Sequence, residues 1–180
     1  NGTATMQTAL LAADVGVGDE VIVPAFTVFS TPAVAFQCNA VPIVVDVDPD
    51  TWTISPEQIR RHLTERTRAT IPVAICGLMA DMDPIMALAA EHDLTVIEDN
   101  AQCYLGYYKG RVCGSIGHFA SFSFQASKTL TCGDGGILVC GSPELATRAR
   151  RAATLGFKDL SARPGDTVVS EERRCHPDYL

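Results

Sequence analysis

The fold is decided by residues 81–99, DMDPIMALAAEHDLTVIED, which predict a helix followed directly by a strand. Ile85, Leu88 and Ala89 recur at helical spacing and mark one apolar face. Residues 94–98 form an apolar run of strand length, and Asp99 follows them. A helix that leads at once into a short buried strand is typical of α/β proteins.

The same alternation continues along the rest of the chain. The patterns predict strands over residues 20–24, 42–46, 69–75, 119–124 and 136–140, although Pro72 interrupts the third of these. They predict helices over residues 3–13 and 29–37, from Ser55 onward, and from Ser142 to about residue 155. Residues 109–114 indicate a short hairpin or loop. Together the segments predict a three-layer α/β fold, with a mostly parallel sheet between helices.

The end of the chain differs from the rest in composition. Residues 161–180 are rich in charge and proline and lack periodicity, so we expect residues 1–160 to form one domain and the remainder a loop. The first residue is Asn1 rather than Met, and we therefore expect the chain to begin inside a longer protein.

Composition excludes several classes of protein. The 180 residues are 47% hydrophobic and carry a net charge of −7, without a run of Lys or Arg. An acidic chain of this kind does not suit a nucleic-acid surface. Its apolar stretches are too short to cross a bilayer, and it shows no signal peptide. We therefore expect a cytoplasmic protein with neither nucleic acid nor membrane as a partner.

Cysteine and histidine patterns indicate neither a disulfide framework nor a metal site. The seven cysteines are Cys38, Cys76, Cys103, Cys113, Cys132, Cys140 and Cys175. Their number is odd and none forms a C-x-x-C pair, so we interpret them as reduced, mostly buried thiols of a cytosolic protein. The four histidines have no ligand spacing with them, so no metal site is expected.

Lys128 is the residue with the most specific chemical setting. Aromatic and small residues alternate over residues 119–124 and predict a buried strand, and the glycine-rich Gly133-Asp-Gly-Gly136 follows the lysine. Lys128 thus leaves a rigid strand end and enters a flexible turn. A lysine in this position can hold an aldehyde cofactor as a Schiff base, whereas the ordinary alternative is a solvated surface charge.

A carboxylate is predicted at a ligand-binding edge of the sheet. Ligands of open parallel sheets bind beyond the carboxyl ends of the strands, and Asp99 directly follows such a strand. It can pair with a protonated ring nitrogen, or it can cap the segment that follows. Gln102 could reach the same site by one helical turn, or it could be an exposed amide.

The start of the chain indicates an anion site. Asn1-Gly2-Thr3-Ala4-Thr5 precedes an apolar helix, and free backbone N–H groups at a helix start can cradle a phosphate. An ordinary helix cap is the alternative. Ser121 and Ser123 lie on the strand before Lys128, and we expect one of the two to point toward the site's side of the sheet.

An anion cradle, a carboxylate for a pyridinium and a lysine for an aldehyde make up the inventory of a pyridoxal 5'-phosphate site. In such a site the lysine amine moves a proton at the α-carbon of an amino donor. The carboxylate keeps the pyridine nitrogen protonated, so that the ring accepts electrons. The phosphate anchor fixes the orientation of the ring.

These motifs occur in an order that resembles the DegT/StrS family of aminotransferases. The matching segments are residues 1–4, 18–24, 42–48 with Asp50, 80–83, 97–102, 114–117, 122–124 with Lys128, and 133–136. The resemblance implies the large domain of the fold type I pyridoxal phosphate transferases. It also implies that Lys128 and Asp99 are catalytic, with Asp99 beside the pyridinium and Gln102 near the ring hydroxyl. The residues that it implies for the cofactor's phosphate are Gly2, Thr3, Ala4 and Ser123.

The resemblance further implies an activity and a partner. Family members move an amino group from glutamate or glutamine to a nucleotide-linked keto sugar or a keto-cyclitol, and they are homodimers whose sites borrow groups from the partner. A non-catalytic relative that binds the cofactor and serves as a regulatory or interaction protein is the alternative. The family's leading segment and its small C-terminal domain are absent from residues 1–180, so we expect these residues alone to be poorly active.

The departures from the family pattern are at Val28, Gln125 and Asp134, and the first of them concerns the cofactor ring. Many members carry an aromatic residue, close to the cofactor ring, at the position of Val28. Here Phe26 and Phe29 flank that position. Either phenylalanine could stack on the ring, and core packing is the alternative for both.

Overall fold

A six-stranded sheet organises residues 1–154, which are the residues that the computed structural model describes. Its strands are β1 (Glu20–Pro24), β2 (Val41–Val45), β3 (Thr67–Thr70), β4 (Thr95–Asp99), β7 (Phe119–Ser123) and β8 (Gly136–Cys140). The two remaining strands, β5 (Tyr107–Tyr108) and β6 (Arg111–Val112), form a small antiparallel hairpin. The order in the large sheet is β2-β1-β3-β4-β7-β8, and only the β7–β8 pair is antiparallel within the described part of the chain. The predicted mostly parallel sheet is confirmed.

Helices cover both faces of the sheet. They are α1 (Gly2–Ala12), α2 (Ser30–Gln37), α3 (Pro56–His62), α4 (Met82–His92) and α5 (Pro143–Ala153). α1 packs against α2, α5 and β7, while α3 and α4 pack together and contact β2 and β4 respectively. Each strand alternates between the two layers of core: Val21 belongs to the α1 side and Ile22 to the α4 side. The predicted three-layer arrangement therefore holds.

Two predicted strand ends need correction. The strand expected over residues 69–75 is wrong in extent, because β3 ends at Thr70. Pro72 lacks the N–H that a ladder needs, and beyond it the chain enters a 3-10 turn at Ile75–Gly77. Asp99 is the last residue of β4 rather than the residue after it. The predicted boundary at residue 160 and the loop over residues 161–180 lie outside the described residues.

The thiols are less uniformly buried than expected. The six cysteines within residues 1–154 are free; Cys38, Cys103 and Cys113 are buried, but Cys76 and Cys132 are exposed. The same residues hold no cluster of three or more His, Cys, Asp or Glu side chains suited to a metal ion. None of their helices combines the length and the hydropathy that crossing a bilayer requires.

The register of two strands positions the site. β4 and β7 run parallel, with Ile97 opposite Phe119 and Asp99 opposite Ser121. Their carboxyl ends therefore lie side by side at one edge of the sheet. The amino end of α1 packs onto this edge, so closely that a Cβ added to Gly2 would meet the side chains of Ser123 and Ala101.

Candidate active site

One cleft at this edge of the sheet brings together five of the seven predicted site residues. It has a volume of about 260 Å³. The predicted residues that line it are Gly2, Thr3, Asp99, Ser123 and Lys128. They come from α1, from the ends of β4 and β7, and from the turn after β7. Residues that are far apart in the sequence thus line one cavity.

Asp99 lies in the wall of the cleft and is only 1% exposed. Its Oδ1 accepts a hydrogen bond from the Ala101 amide at 3.1 Å, and its Oδ2 accepts one from the Thr31 hydroxyl at 3.0 Å. Burial raises the pKa of Asp99, whereas these two hydrogen bonds and the positive charge of Lys128 lower it. A positively charged ligand in the cleft would offset the remaining free-energy cost of burying this carboxylate. Asp99 also caps the segment that follows it, as the alternative interpretation expected, because it accepts the hydrogen bond from the Ala101 amide.

The amino end of α1 offers free donors beside that carboxylate. The first amides of a helix have no partner within it. Here the Asn1 side chain accepts from the Ala4 amide at 3.1 Å, and the Asn1 carbonyl accepts from the Thr5 amide at 3.2 Å. This capping leaves the N–H groups of Gly2 and Thr3 for a ligand in the cleft. The Ala4 side chain lines a different cavity, between α1 and α5.

Close packing explains the glycine at position 2. A Cβ on Gly2 would lie 3.0 Å from the Ser123 Cβ, so a larger residue would push α1 away from β7. The glycine-rich segment before β8 holds the same helix end from the other side. A Cβ on Gly136 would lie 2.9 Å from the Asn1 carbonyl, and Asp134 accepts a hydrogen bond from the Asn1 side chain at 3.3 Å.

Both serines of β7 point toward α1, and the expectation that only one would do so is wrong. Residues two apart on a strand share a face. Ser121 lies beneath the helix, fully buried, where its hydroxyl pairs with the Thr5 hydroxyl at 2.6 Å. Ser123, at the strand end, lines the cleft and accepts a long 3.5 Å hydrogen bond from the Gln125 amide. Ser123 is therefore the serine that a ligand can reach.

Lys128 lies between two cavities. Its amide closes a turn onto the Gln125 carbonyl at 2.9 Å, and the side chain is half-buried. It lines the cleft of Asp99 and also a second cavity of about 440 Å³. The second cavity is lined by Cys76, Ala101, Gln102, Ser127, Lys128 and Thr129. A lysine amine placed in this way can reach a molecule in either space.

Gln102 lies in the second cavity rather than in the cleft of Asp99. The chain after β4 forms a turn and not the helical turn considered for it. The Gln102 side-chain oxygen accepts a hydrogen bond from the Cys76 amide at 2.8 Å, which helps to hold Cys76 at a positive φ of 51°. Gln102 is exposed, so its amide nitrogen can face the second cavity.

Sequence reasoning missed several residues of the cleft. Met6, Val28, Ser30, Ala101, Gln125 and Ser127 also line it, and Thr31 supports Asp99 from α2. Val28 and Gln125 had a signal, their places in the resembled pattern. Core packing is wrong for both neighbouring phenylalanines, because Phe26 is 44% exposed and Phe29 is 77% exposed. Phe26 instead packs edge-on against Trp52, with ring centroids 5.2 Å apart.

The chain is similar to known proteins along nearly its whole length. It is 42% identical over 171 residues to the L-glutamine:2-deoxy-scyllo-inosose aminotransferase of Micromonospora echinospora, covering 95% of this chain and 40% of that protein. It is 44% identical over 159 residues to a pleiotropic regulatory protein of Geobacillus stearothermophilus, covering 88% of this chain and 43% of that protein. The X-ray structure of an aminotransferase from Psychrobacter cryohalolentis superimposes with a TM-score of 0.89 at 38% identity, covering 98% of this chain and 45% of that one.

These similarities extend over less than half of each known protein. The chain spans between 40% and 45% of the length of the three. Residues 1–171 match the DegT/DnrJ/EryC1/StrS aminotransferase family, and the chain belongs to that family.

Proposed function

We propose that the full-length protein is an aminotransferase that moves an amino group from glutamate or glutamine to a keto sugar or a keto-cyclitol. The observation that carries this proposal is the cleft in which Lys128, Asp99 and the amino end of α1 converge. Lys128 suits an aldehyde, Asp99 suits a protonated ring nitrogen, and the helix end suits a phosphate, which are three groups of one cofactor. The three parts come from segments far apart in the chain. Family membership and the names of the relatives support the same activity.

Aminotransferases of this family depend on pyridoxal 5'-phosphate, and the residues of the cleft fit it. The amides of Gly2 and Thr3 and the hydroxyl of Ser123 would hold its phosphate. Asp99 would pair with its ring nitrogen, which would offset the burial of that carboxylate. Lys128 would hold its aldehyde. When bound, the cofactor supplies a carbonyl that accepts the amino group and a ring that accepts an electron pair.

The residues of the chain then have separate tasks. The Nζ atom of Lys128 takes a proton from the α-carbon of the donor and later returns one to the acceptor. Asp99 would keep the ring nitrogen protonated. The helix end and Ser123 would bind the phosphate dianion and so fix the orientation of the reacting group. Gln102, which lines the second cavity together with Lys128, would lie near the ring hydroxyl of the cofactor.

The polar second cavity suits a hydroxylated acceptor. Gln102, Ser127 and Thr129 line it with an amide and two hydroxyl groups, next to the amine of Lys128. Such groups can hydrogen-bond the hydroxyls of a keto sugar or keto-cyclitol. The Micromonospora relative is named for L-glutamine and a cyclitol ketone, which supports glutamine as the donor.

A regulatory role is the second candidate, because the Geobacillus relative is named a pleiotropic regulatory protein. Such a protein could bind the cofactor without transferring an amino group. The presence of both Lys128 and Asp99 at one cleft favours catalysis. We further propose that the full-length protein is a cytoplasmic homodimer. The free thiols within residues 1–154 fit a reducing compartment.

Borohydride trapping tests the proposal. Full-length protein purified with pyridoxal 5'-phosphate should absorb in the visible range, and reduction should fix the cofactor to the peptide that contains Lys128. Lys128→Ala should abolish the labelling. Lys109→Ala is the matched control, since that lysine pairs with Asp83 at 2.7 Å, outside the cleft. Labelling at Lys109 or Lys158 instead would show that the site has been wrongly assigned.

Turnover separates the two candidate functions. The full-length protein is incubated with L-glutamine or L-glutamate and a panel of keto sugars and keto-cyclitols. Amino transfer to any of these ketones supports the enzyme. Cofactor on Lys128 without release of 2-oxo acid from either donor would favour the regulatory role.

A further inference from the structure

The Asp99 carboxylate accepts a hydrogen bond from a side chain to which the proposed mechanism gives no role. Thr31, in the first turn of α2, is fully buried and donates its hydroxyl proton to Asp99 Oδ2 at 3.0 Å. The Ala101 amide donates to Oδ1 at 3.1 Å. Each carboxylate oxygen thus has one fixed donor, and the rotation of the carboxyl group is determined by two different elements, α2 and the turn after β4.

The hydrogen bond from Thr31 has a defined direction. A hydroxyl has one proton, and that of Thr31 is committed to Asp99. The Thr27 hydroxyl lies 2.8 Å from the Thr31 hydroxyl, and it must therefore be the donor in that pair. The result is a chain of two threonines, Thr27 to Thr31 to Asp99, in which every proton points toward the carboxylate. Thr27 is half-buried, so the chain begins near the surface.

The surroundings of Asp99 offer few other sources of stabilisation. Burial raises the pKa of this carboxyl, and the interactions that oppose burial are the Ala101 amide, the Thr31 hydroxyl and the positive charge of Lys128. Its neighbour Glu98 points to the other face of β4, where its carboxylate accepts hydrogen bonds from the amide of Gly114 and from two further amides of that loop. Loss of the Thr31 hydroxyl would therefore remove one of three interactions that favour the ionised form.

We infer that Thr31, with Thr27 behind it, is a positioning residue that orients the Asp99 carboxylate toward the cleft and keeps it ionised for the cofactor's ring nitrogen. The inference rests on the proposed function for the identity of that ligand. The coupling between Thr31 and Asp99 is a property of the chain itself and can be measured without the cofactor. A merely structural role for Thr31, in packing α2 against β4, would predict no such coupling.

Thr31→Val is the decisive variant, because it keeps the shape of the side chain and removes the hydroxyl. Thr70→Val is its matched control. Thr70 is also fully buried, but its hydroxyl has no hydrogen-bond partner within residues 1–154. Thr31→Ser, which keeps the hydroxyl, is the rescue variant. Each change is made in full-length protein, alone and together with Asp99→Asn.

The first readout uses protein freed of cofactor. Since the pKa of Asp99 is raised in the folded state, stability falls as pH rises above its ordinary value. In Thr31→Val this fall should be larger and should extend to higher pH, whereas Thr70→Val and Thr31→Ser should follow the wild type. The extra fall should vanish in the Asp99→Asn background. Identical pH profiles for Thr31→Val and Thr70→Val would overturn the inference.

The second readout uses protein loaded with pyridoxal 5'-phosphate. Thr31→Val should lower kcat by about tenfold, as expected for one hydrogen bond to a charged group, and Thr31→Ser should recover most of it. In the Asp99→Asn background the same change should have little further effect. An equal loss in both backgrounds would also overturn the inference.

Two further results have to be distinguished from a failure of the inference: a wild type without cofactor, and a Thr31→Val variant that does not fold. If the wild type binds no cofactor, the proposed function fails, and the cofactor-free pH profiles still decide whether Thr31 is coupled to Asp99. If Thr31→Val does not fold, Thr27→Val tests the same chain from its outer end. It should extend the fall in stability in the same direction by a smaller amount, and an unchanged profile would contradict the inference.

Discussion

Asp99 combines deep burial with a position in the wall of the cleft. Its neighbours compensate the buried charge only in part, since burial raises the pKa of this carboxyl despite two hydrogen bonds and the charge of Lys128. A buried acid of this kind is a common feature of functional sites. The residue is expected to act differently in the loaded and in the cofactor-free protein, and two predictions follow from that difference.

In the loaded protein, Asp99→Asn should slow amino transfer far more than it weakens cofactor binding. The helix end and Ser123 would still hold the phosphate, while the ring nitrogen would lose its charged partner. The loss of kcat is expected to be on the order of a hundredfold. Single-turnover kinetics and a cofactor titration measure the two effects separately. Near-normal turnover would mean that the carboxylate only caps the turn at Ala101.

In the cofactor-free protein, Asp99→Asn should gain stability relative to the wild type as pH rises to neutral. A folded-state pKa above the ordinary value means that the folded form binds the proton more tightly, so stability of the wild type is lost as pH rises through that pKa. Asparagine has no such proton to lose. The melting temperature of the variant, relative to the wild type, should rise by a few degrees between acidic pH, below the ordinary pKa of an aspartate, and pH 7. A difference in melting temperature that does not change with pH would contradict the raised pKa.

At the scale of elements, the amino end of α1 is fixed by contacts that depend on the absence of side chains. A Cβ on Gly2 would meet Ser123, and one on Gly136, at the start of β8, would meet the Asn1 backbone and the Phe122 carbonyl. These contacts join a helix to two strands that lie more than a hundred residues later in the chain. They hold the free amides of the helix end over the cleft.

Gly136→Ala should therefore weaken cofactor binding as well as stability. The added Cβ would lie 2.8 Å from the Phe122 carbonyl oxygen and 2.9 Å from the Asn1 carbonyl, so the helix end must move. We expect a loss of cofactor affinity of about tenfold or more, because phosphate binding depends on the position of the α1 amides. Gly16→Ala is the matched control, since its Cβ would meet no atom within 4 Å. Equal affinities for the two variants, measured by fluorescence titration, would show that the α1 end tolerates displacement.

Most of the helices and strands could be predicted from local sequence patterns. The apolar run before Asp99 and the alternating run before Lys128 both became strands, because strand length and side-chain alternation are properties of a few neighbouring residues. Pro72 shortens β3 for a local reason too, because it lacks the N–H that a ladder needs. The expected strand over residues 69–75 underestimated this effect. The convergence of Asp99, Ser123 and Lys128 followed from the rule that the ends of parallel strands meet.

Contacts between distant segments could not be predicted in the same way. Thr31 reaches Asp99 across 68 positions of sequence, and nothing in the first turn of α2 marks a threonine that will face a strand end. Sequence left two possibilities for Gln102, a helical turn into the site or an exposed amide; it is exposed, and the turn after β4 directs it to Cys76. Phe26 and Phe29 were compatible with core packing by composition, yet both lie on the surface. Exposure depends on what the whole fold covers, which a local pattern does not contain.

At the scale of the whole molecule, several large apolar side chains on or next to α2 and on the edge strand β2 are exposed. Phe29 is 77% and Phe36 is 61% exposed, and Val41 and Val44 are 48% and 54% exposed. β2 has a partner on one side only within the described sheet. Apolar surface of this extent commonly marks an interface, and an unpaired strand edge needs a cover. The homodimer that we propose would bury this surface.

Phe36→Glu should therefore shift the full-length protein from dimer toward monomer, because a charge placed in an apolar interface must be desolvated without a partner. Val17→Glu is the control, since Val17 is 87% exposed in the turn before β1 and lies outside α2 and β2. Light scattering after size-exclusion chromatography, over a range of concentrations, measures the mass of both variants. We expect dissociation at concentrations at which Val17→Glu and the wild type remain dimeric. If Phe36→Glu has the same mass as the wild type throughout, the α2–β2 surface is not where two copies meet.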